Sequence, residues 1–249
     1  MDKLILITND DGIEARGLQV LEYIAAQFGE VFTVAPATQK SGVSHCITLH
    51  HPLRVVEKRP NRFALDDGTP ADCVFVGVGH LCPRKPDLVL SGINLGLNVA
   101  SDVVYSGTVG GAREGTLQGI PSIAMSMDVG PNWDPTPAAP FLASIIQRVL
   151  DDSSLHTATL NVNIPAPGKP IQGIRTTTFG TRRFRTEVDA RRDPRGGRYL
   201  WVGGDTADVK APPGSDCEAL AEGFISVTAV QPYTHAEKEQ GCLPNGDWG

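Results

Sequence analysis

The run Leu4-Ile5-Leu6-Ile7 constrains the fold most: four consecutive apolar residues, then the polar Thr8–Gly12, then apolar residues at helical spacing. A short unbroken apolar run suits a parallel strand buried on both faces, not a strand with one wet face. Leu18, Leu21, Ile24, Ala25 and Phe28 fall on one helical stripe, and Gly29 stands where a glycine would close the helix. Val31–Ala35 supplies the next strand and Pro36 stops it. Strand, helix and strand within residues 4–35 make a βαβ unit, whose crossover is right-handed.

The alternation continues. Residues 53–57 and 62–66 read as a hairpin or edge strands. Thr69-Pro70 opens a helix running to about Gly79, and Asp87–Ser91 is another buried strand. Thr108–Gln118 and residues 138–150 read as helices, Pro121–Ser126 and Thr159–Ile164 as strands. The pattern predicts a doubly wound, mainly parallel, Rossmann-like α/β sheet to about residue 165, within a single domain spanning 1–249. Residues 166–205 are rich in Gly, Arg and Thr and read as projecting β-hairpins, with alternation at 172–179 and 198–203. Phe224–Val230 returns to the sheet. Residues 231–249 are polar and aperiodic, either a frayed tail or an arm ordered by a partner subunit.

Composition excludes several classes. The formal net charge is −6, so no broad basic face for duplex nucleic acid is expected. The cluster Arg182, Arg183, Arg185, Arg191, Arg192, Arg195 and Arg198 is interrupted by Glu187, Asp189 and Asp193, and reads as a solvated hairpin or an interface. Five dispersed cysteines contain no C-x-x-C pair, which fits free thiols in a reducing cytoplasm. The first apolar run is too short for a signal peptide or a membrane span.

In open α/β sheets ligands bind beyond the carboxyl ends of the strands, and polar loops stand at such positions here. Asn9-Asp10-Asp11-Gly12 places adjacent carboxylates that repel unless a cation lies between them, although these residue types also favour plain turns. Lys40-Ser41-Gly42 offers a hydroxyl oxygen and a flexible backbone, or is a surface loop. Ser91-Gly92-Ile93-Asn94-Leu95-Gly96-Leu97-Asn98 offers two amide side chains, or is again only a loop. Tyr105-Ser106-Gly107-Thr108 precedes a helix whose N-terminus is an anion site, while Gly110, Gly111 and Gly115 allow close packing. The candidate cation donors Asp10, Asp11, Ser41 and Asn94 are all oxygen, which selects Mg²⁺ or Mn²⁺ over Zn²⁺. A hard cation beside an anion-binding helix end points to phosphate chemistry. There is no P-loop, no G-x-G-x-x-G after the first strand, no G-x-S-x-G and no H-E-x-x-H. His45 is the one histidine near the cluster and reads as a loop residue.

ILITNDDGIEARGL, APATQKSGVSHCITL, GTPADCV, DLVLSGINLGLN, VYSGTVGGAREG and LNVNIP occur in this order. The chain thereby resembles the SurE (survival protein E) family of 5′-nucleotidases, closely over residues 4–165 and more loosely beyond. The resemblance implies hydrolysis of nucleoside 5′-monophosphates, with 3′-monophosphates and short polyphosphate as further substrates. It implies one divalent cation per subunit on Asp10, Asp11, Ser41 and Asn94, and phosphate contacts from Asn98, Ser106, Gly107 and Thr108. It also implies a homodimer or homotetramer built by exchange of C-terminal arms; the short first apolar run and the net charge of −6 point to no membrane and no stable nucleic-acid partner. Asp10 is the candidate for orienting or deprotonating the attacking water, a pure ligand role standing beside it. A phosphoaspartyl route usually needs Asp-x-Asp and fits Asp10-Asp11 poorly. A metal- and nucleotide-binding module without turnover would share the same fold and loops. The family pattern departs at Lys40, where Arg is common, at Gly111, where Ala is common, and after Val230.

Overall fold

The computed structural model of the chain describes residues 3–130, 132–168, 170–203 and 206–233. The arm expected over 231–249 lies outside the described residues beyond Tyr233. Strand β1 (Lys3–Thr8) is buried from Leu4 onward. Leu4 and Leu6 join Phe32, Val34 and Val74 on one face of the sheet; Ile5 and Ile7 join Leu18, Leu21 and Leu142 on the other. Successive strand side chains point to opposite faces, so a sheet covered on both sides requires an unbroken apolar run. Burying these four side chains stabilises the fold by roughly 6–12 kcal/mol.

Helix α1 (Arg16–Ala25) buries Leu18, Leu21, Ile24 and Ala25, and β2 (Gly29–Pro36) follows. Gly29 does not close the helix as its position suggested. It opens β2 opposite Lys3, where a Cβ would stand 2.1 Å from the Lys3 carbonyl oxygen. Strands β3 (Arg54–Arg59) and β4 (Arg62–Asp66) form the expected hairpin, with β4 parallel to β2. Helix α2 (Pro70–Val76) starts at Thr69, whose side chain and that of Asp72 bond each other's backbone N–H groups in a capping box. Strand β5 (Leu88–Leu95), helices α3 (Asp102–Tyr105) and α4 (Gly107–Leu117), β6 (Ser122–Met127), α5 (Ala139–Asp151) and β7 (Thr159–Ile164) complete the alternating part. Helices α1 and α5 cover one face of the sheet, and α2 and α4 the other.

Beyond it lie β8 (Ile174–Thr176), β9 (Thr181–Phe184), β10 (Glu187–Arg192), β11 (Arg198–Gly203), β12 (Thr206–Lys210), α6 (Asp216–Ala221) and β13 (Ile225–Val230). The main sheet runs β3-β4-β2-β1-β5-β6-β7-β13-β8, parallel from β4 to β7, with β13 antiparallel to β7. Part of the region read as projecting hairpins belongs to this sheet: β8 pairs parallel with β13 and covers its open edge. The projecting part consists of the β10–β11 ribbon and the β9–β12 pair. No helix among the described residues is long and apolar enough to cross a membrane.

Candidate active site

The chain leaves β1 towards β2 and β4, then returns to β5 on the other side of β1 and proceeds to β6 and β7. The strand order reverses between β1 and β5, and the loops leaving their carboxyl ends diverge into a crevice. Asp10 and Asp11 follow β1 directly. Asn94 was expected in a loop after Asp87–Ser91, but β5 continues to Leu95. Its register against β6 shifts between Ser91 and Asn94, and Gly92 absorbs the shift at φ 139°, where a Cβ would stand 2.2 Å from the Met125 carbonyl oxygen.

In the Asn-Asp-Asp-Gly loop the turn and the carboxylates divide cleanly. Asn9 donates its side-chain amide to the Gly12 carbonyl (3.0 Å), and Gly12 takes φ 100°. Those two residues explain the turn and leave Asp10 and Asp11 unexplained by it. Asp10 is only 4% exposed. Its carboxylate accepts the Thr108 hydroxyl, and its carbonyl accepts the Lys40 N–H (2.7 Å). Burial, with the Asp11 charge adding, raises the Asp10 pKa to about 6 against the pull of Thr108. Asp11 is raised as well, again by burial, and accepts the Leu95 N–H (3.0 Å). Neither carboxylate has a cationic side-chain partner among the described residues.

A cleft of about 370 Å³ brings together Asp10, Ser41, Asn94, Asn98 and Ser106. Asp11 borders it through the Leu95 bond, while Gly107 and Thr108 lie behind Asp10, so close that a Cβ on Gly107 would sit 3.0 Å from the Asp10 Cβ. Asn94 gives its amide to the Gly96 carbonyl (2.9 Å), which leaves its own carbonyl oxygen for another partner. Ser41 Oγ accepts the Gln39 amide (3.1 Å). Asn98 is fixed from three sides. Its backbone N–H donates to Asn163 Oδ1 (2.8 Å), its carbonyl accepts the Asn161 and Asn163 amides, and its own amide donates to Ser126 Oγ (2.7 Å). Asn161 and Asn163 were visible in LNVNIP, but nothing local linked them to a residue 63 positions away. The Ser106 hydroxyl caps α4 by accepting the Val109 N–H (3.0 Å), and the Thr108 hydroxyl is given to Asp10. Of the start of α4, Ser106 lines the crevice, and Gly107 and Thr108 pack against Asp10 just behind it.

Sequence reasoning missed the opposite wall. Arg182 and Phe184 on β9 line the cleft with Tyr105. Arg182 donates to Asp102 (2.9 Å) and lies 5.3 Å over the Phe184 ring. Buried Asp216 sets β9 there by accepting the N–H groups of Ala100 (2.9 Å) and Gly180 (2.7 Å) from two distant segments. A larger opening, about 680 Å³ between α1, β2 and β4, holds charges that already neutralise each other: Glu22 with Arg59 and Arg62, both at 2.9 Å.

The loop carrying Ser41 has no regular structure, yet it is pinned. Ser44 donates to the Tyr105 and Val104 carbonyls, Thr48 bonds Asp72 twice, and His45 Nε2 lies 2.8 Å from Glu114 on α4. His45 thus faces a helix, not the cleft. Its hydrogen bond is the main reason the Glu114 carboxyl is held below its ordinary 4.5. A depressed carboxylate adds stability above its unfolded pKa and loses it on acidification. His45→Ala is expected to cost about 1–3 kcal/mol in urea melts at neutral pH. The Glu114 share of that cost fades below about pH 4.5. An unchanged midpoint at pH 7 would mean the pair does not hold the loop.

Fold and cleft together define a doubly wound α/β protein whose switch-point crevice holds two carboxylates that no cationic side chain among the described residues neutralises, Asp10 against a helix N-terminus and Asp11 against β5. The sequence profile of the family described as "Survival protein SurE" matches residues 5–186. The chain is similar to a protein named 5′-nucleotidase SurE from Sorangium cellulosum (strain So ce56), 44% identical over 246 residues covering 97% of this chain and 94% of that one. A protein of the same name from Bradyrhizobium sp. (strain ORS 278) is 47% identical, covering 91% and 92%. The crystal structure of the SurE protein from Aquifex aeolicus superposes with a TM-score of 0.83 at 36% identity, covering 96% and 98%. The chain belongs to the SurE family.

Proposed function

We propose that this chain is a divalent-cation-dependent phosphatase that hydrolyses nucleoside 5′-monophosphates to nucleoside and phosphate. The observation that carries the reading is the Asp10–Asp11 pair, which no cationic side chain among the described residues compensates and whose Asp10 lies beside the start of α4. The names of the relatives, 5′-nucleotidase SurE, support it. The donors on offer are oxygens only: Asp10, Asp11, the Asn94 carbonyl and Ser41. An all-oxygen set of this kind would suit Mg²⁺ or Mn²⁺, although among the described residues no group of three or more His, Cys, Asp or Glu is arranged to hold a metal ion by itself.

A bound cation supplies Lewis acidity at the phosphoryl oxygens and a water acidic enough to attack at neutral pH. The chain does the rest by position and charge. Thr108 holds Asp10 in one orientation at the crevice floor, where it would help hold the cation and orient the attacking water. The N–H groups of Gly107 and Thr108 and the Asn98 amide receive phosphoryl oxygens, and the Ser106 cap keeps the helix start in place. Hydrolysis of 3′-monophosphates and short polyphosphate belongs to the same reading.

Expected: AMP and GMP release phosphate with Mg²⁺ or Mn²⁺, EDTA removes at least about 100-fold of the rate, and added cation restores it. Cation-dependent AMP binding without phosphate release would favour the non-catalytic module. For assembly we favour a homodimer or homotetramer. The β10–β11 ribbon supports it: a two-stranded ribbon is marginal alone, and Val188, Leu200 and Val202 stand exposed on one of its faces. Sedimentation of the intact chain as a monomer would remove that reading. The ion pairs Arg182–Asp102 and Arg191–Asp189 neutralise part of the basic cluster and favour no nucleic-acid partner. Free thiols at Cys46, Cys73, Cys82 and Cys217 support a reducing cytoplasm.

A further inference from the structure

The cleft changes character from floor to mouth. Asp10, Asn98 and Ser106 at its floor are buried and polar. Around its mouth stand four large apolar side chains that are all more than half exposed or nearly so: Leu95, Val129, Phe184 and Tyr105. Two of these are aromatic in a chain with only 15 Phe, Tyr and Trp residues in all. A phosphate ester that seats its charge against the floor must carry its remaining bulk out past this mouth.

The two aromatic residues are placed differently, Tyr105 through its backbone and Phe184 through its ring. Tyr105 ends α3 immediately before the Ser106 cap, and its carbonyl accepts the Ser44 N–H (2.9 Å). Its ring is 61% exposed, and its hydroxyl has no partner among the described residues. Phe184 closes β9, is 47% exposed, and is backed by the Arg182 guanidinium, which Asp102 anchors at 2.9 Å. An aromatic surface backed on one face, as Phe184 is, costs little further ordering when a flat ring stacks on its open side.

We infer that Phe184 and Tyr105 form the nucleobase subsite of this cleft, and that they recognise the base by stacking. The inference rests on the phosphatase reading for its substrate. A stacking platform reads a π-face and not an edge, so it takes all bases and favours the larger purine ring. Discrimination among bases is then graded by ring area, and phosphate esters without a ring are poorer substrates.

The test compares AMP with ribose 5-phosphate, which has the same phosphate and sugar and no base, in wild type, Phe184→Ala, Phe184→Leu and Tyr105→Ala. The readout is the ratio of the two kcat/KM values. A folding defect lowers both alike and leaves the ratio unmoved. Wild type is expected to prefer AMP by tenfold or more. Phe184→Ala and Tyr105→Ala are expected to lower that ratio several-fold each, and Phe184→Leu, which keeps apolar bulk without a ring, to lower it as well. A wild-type ratio near one, or variants with the wild-type ratio, would overturn the subsite. If wild type hydrolyses neither compound with Mg²⁺ or Mn²⁺, the phosphatase reading fails. The subsite is then decided by calorimetric titration with AMP: weaker binding in Phe184→Ala supports it, and equal affinities overturn it.

Discussion

Asp10→Asn is expected to lower phosphate release from a nucleoside monophosphate by about 10³-fold while leaving the chain folded. The substitution keeps the shape. An asparagine carbonyl oxygen can still accept the Thr108 hydroxyl, so the loop and the start of α4 remain in register. What disappears is the buried negative charge, and with it a proposed ligand of the cation. The variant also carries a stability signature. In the cation-free chain burial raises the Asp10 pKa from 3.8 to about 6. The native state therefore holds its proton more tightly than the unfolded chain. Stability is full below pH 4 and falls as pH rises through 6, by up to roughly 3 kcal/mol at 1.36 kcal/mol per pK unit. Cation-free Asp10→Asn is expected to lack this fall and to melt no lower than cation-free wild type at pH 8. Near wild-type turnover with Mg²⁺ or Mn²⁺ supplied would sink the assignment, and a melt far below wild type would show that the carboxylate serves the fold instead.

Gly17→Ala is expected to damage both the fold and the crevice. Gly17 lies in the first turn of α1, where the helix presses on β5. A Cβ there would stand 1.9 Å from the Ile93 carbonyl oxygen and 3.2 Å from the Trp133 ring. The nearer obstacle is backbone and cannot rotate away, so helix or strand must shift by about 1 Å or more. Overpacking of this kind costs about 1–3 kcal/mol or more, a drop of several degrees in Tm for a chain of this length. Ile93 adjoins Asn94 at the register shift of β5, so the displacement reaches the crevice. Turnover per folded molecule is expected to fall at least tenfold with a weakened response to added cation. A variant with wild-type melting and wild-type cation response would show that α1 does not set the position of Asn94.

Much of this molecule is legible because its signals are local. The apolar run at Leu4–Ile7, the stripe from Leu18 to Ala25 and the Thr69-Pro70 start each specify an element from its own residues. Helix α6 also carried such a signal, unread: Ser215 three positions before Glu218 is a capping pattern, and the Ser215 hydroxyl accepts the Glu218 N–H. Strand β5 ran past its expected end because Gly92 reads as a loop residue, whereas it serves a register shift visible only beside β6. Gly29 was misplaced for a related reason, since its need for space comes from Lys3 on a neighbouring strand. Within the crevice the oxygen-bearing loops were readable from their place after strands. The His45–Glu114 bond, the Asn161–Asn163 clasp on Asn98 and the arrival of Arg182 and Phe184 were not, because each joins segments that no local pattern relates.

The junction at Asp216 has a consequence for how such a protein can diversify. The crevice floor is made by loops of the parallel sheet, before residue 165. The Phe184 side of the mouth is delivered by a separate stretch of chain, latched to the floor's surroundings through the Ala100 and Gly180 amides. The two halves are thus under different constraints. Drift in the outer stretch retunes which molecules are admitted while the chemistry beneath stays fixed, and grafting residues 180–184 with their Asp216 latch between relatives is a route to new selectivity on an old catalyst.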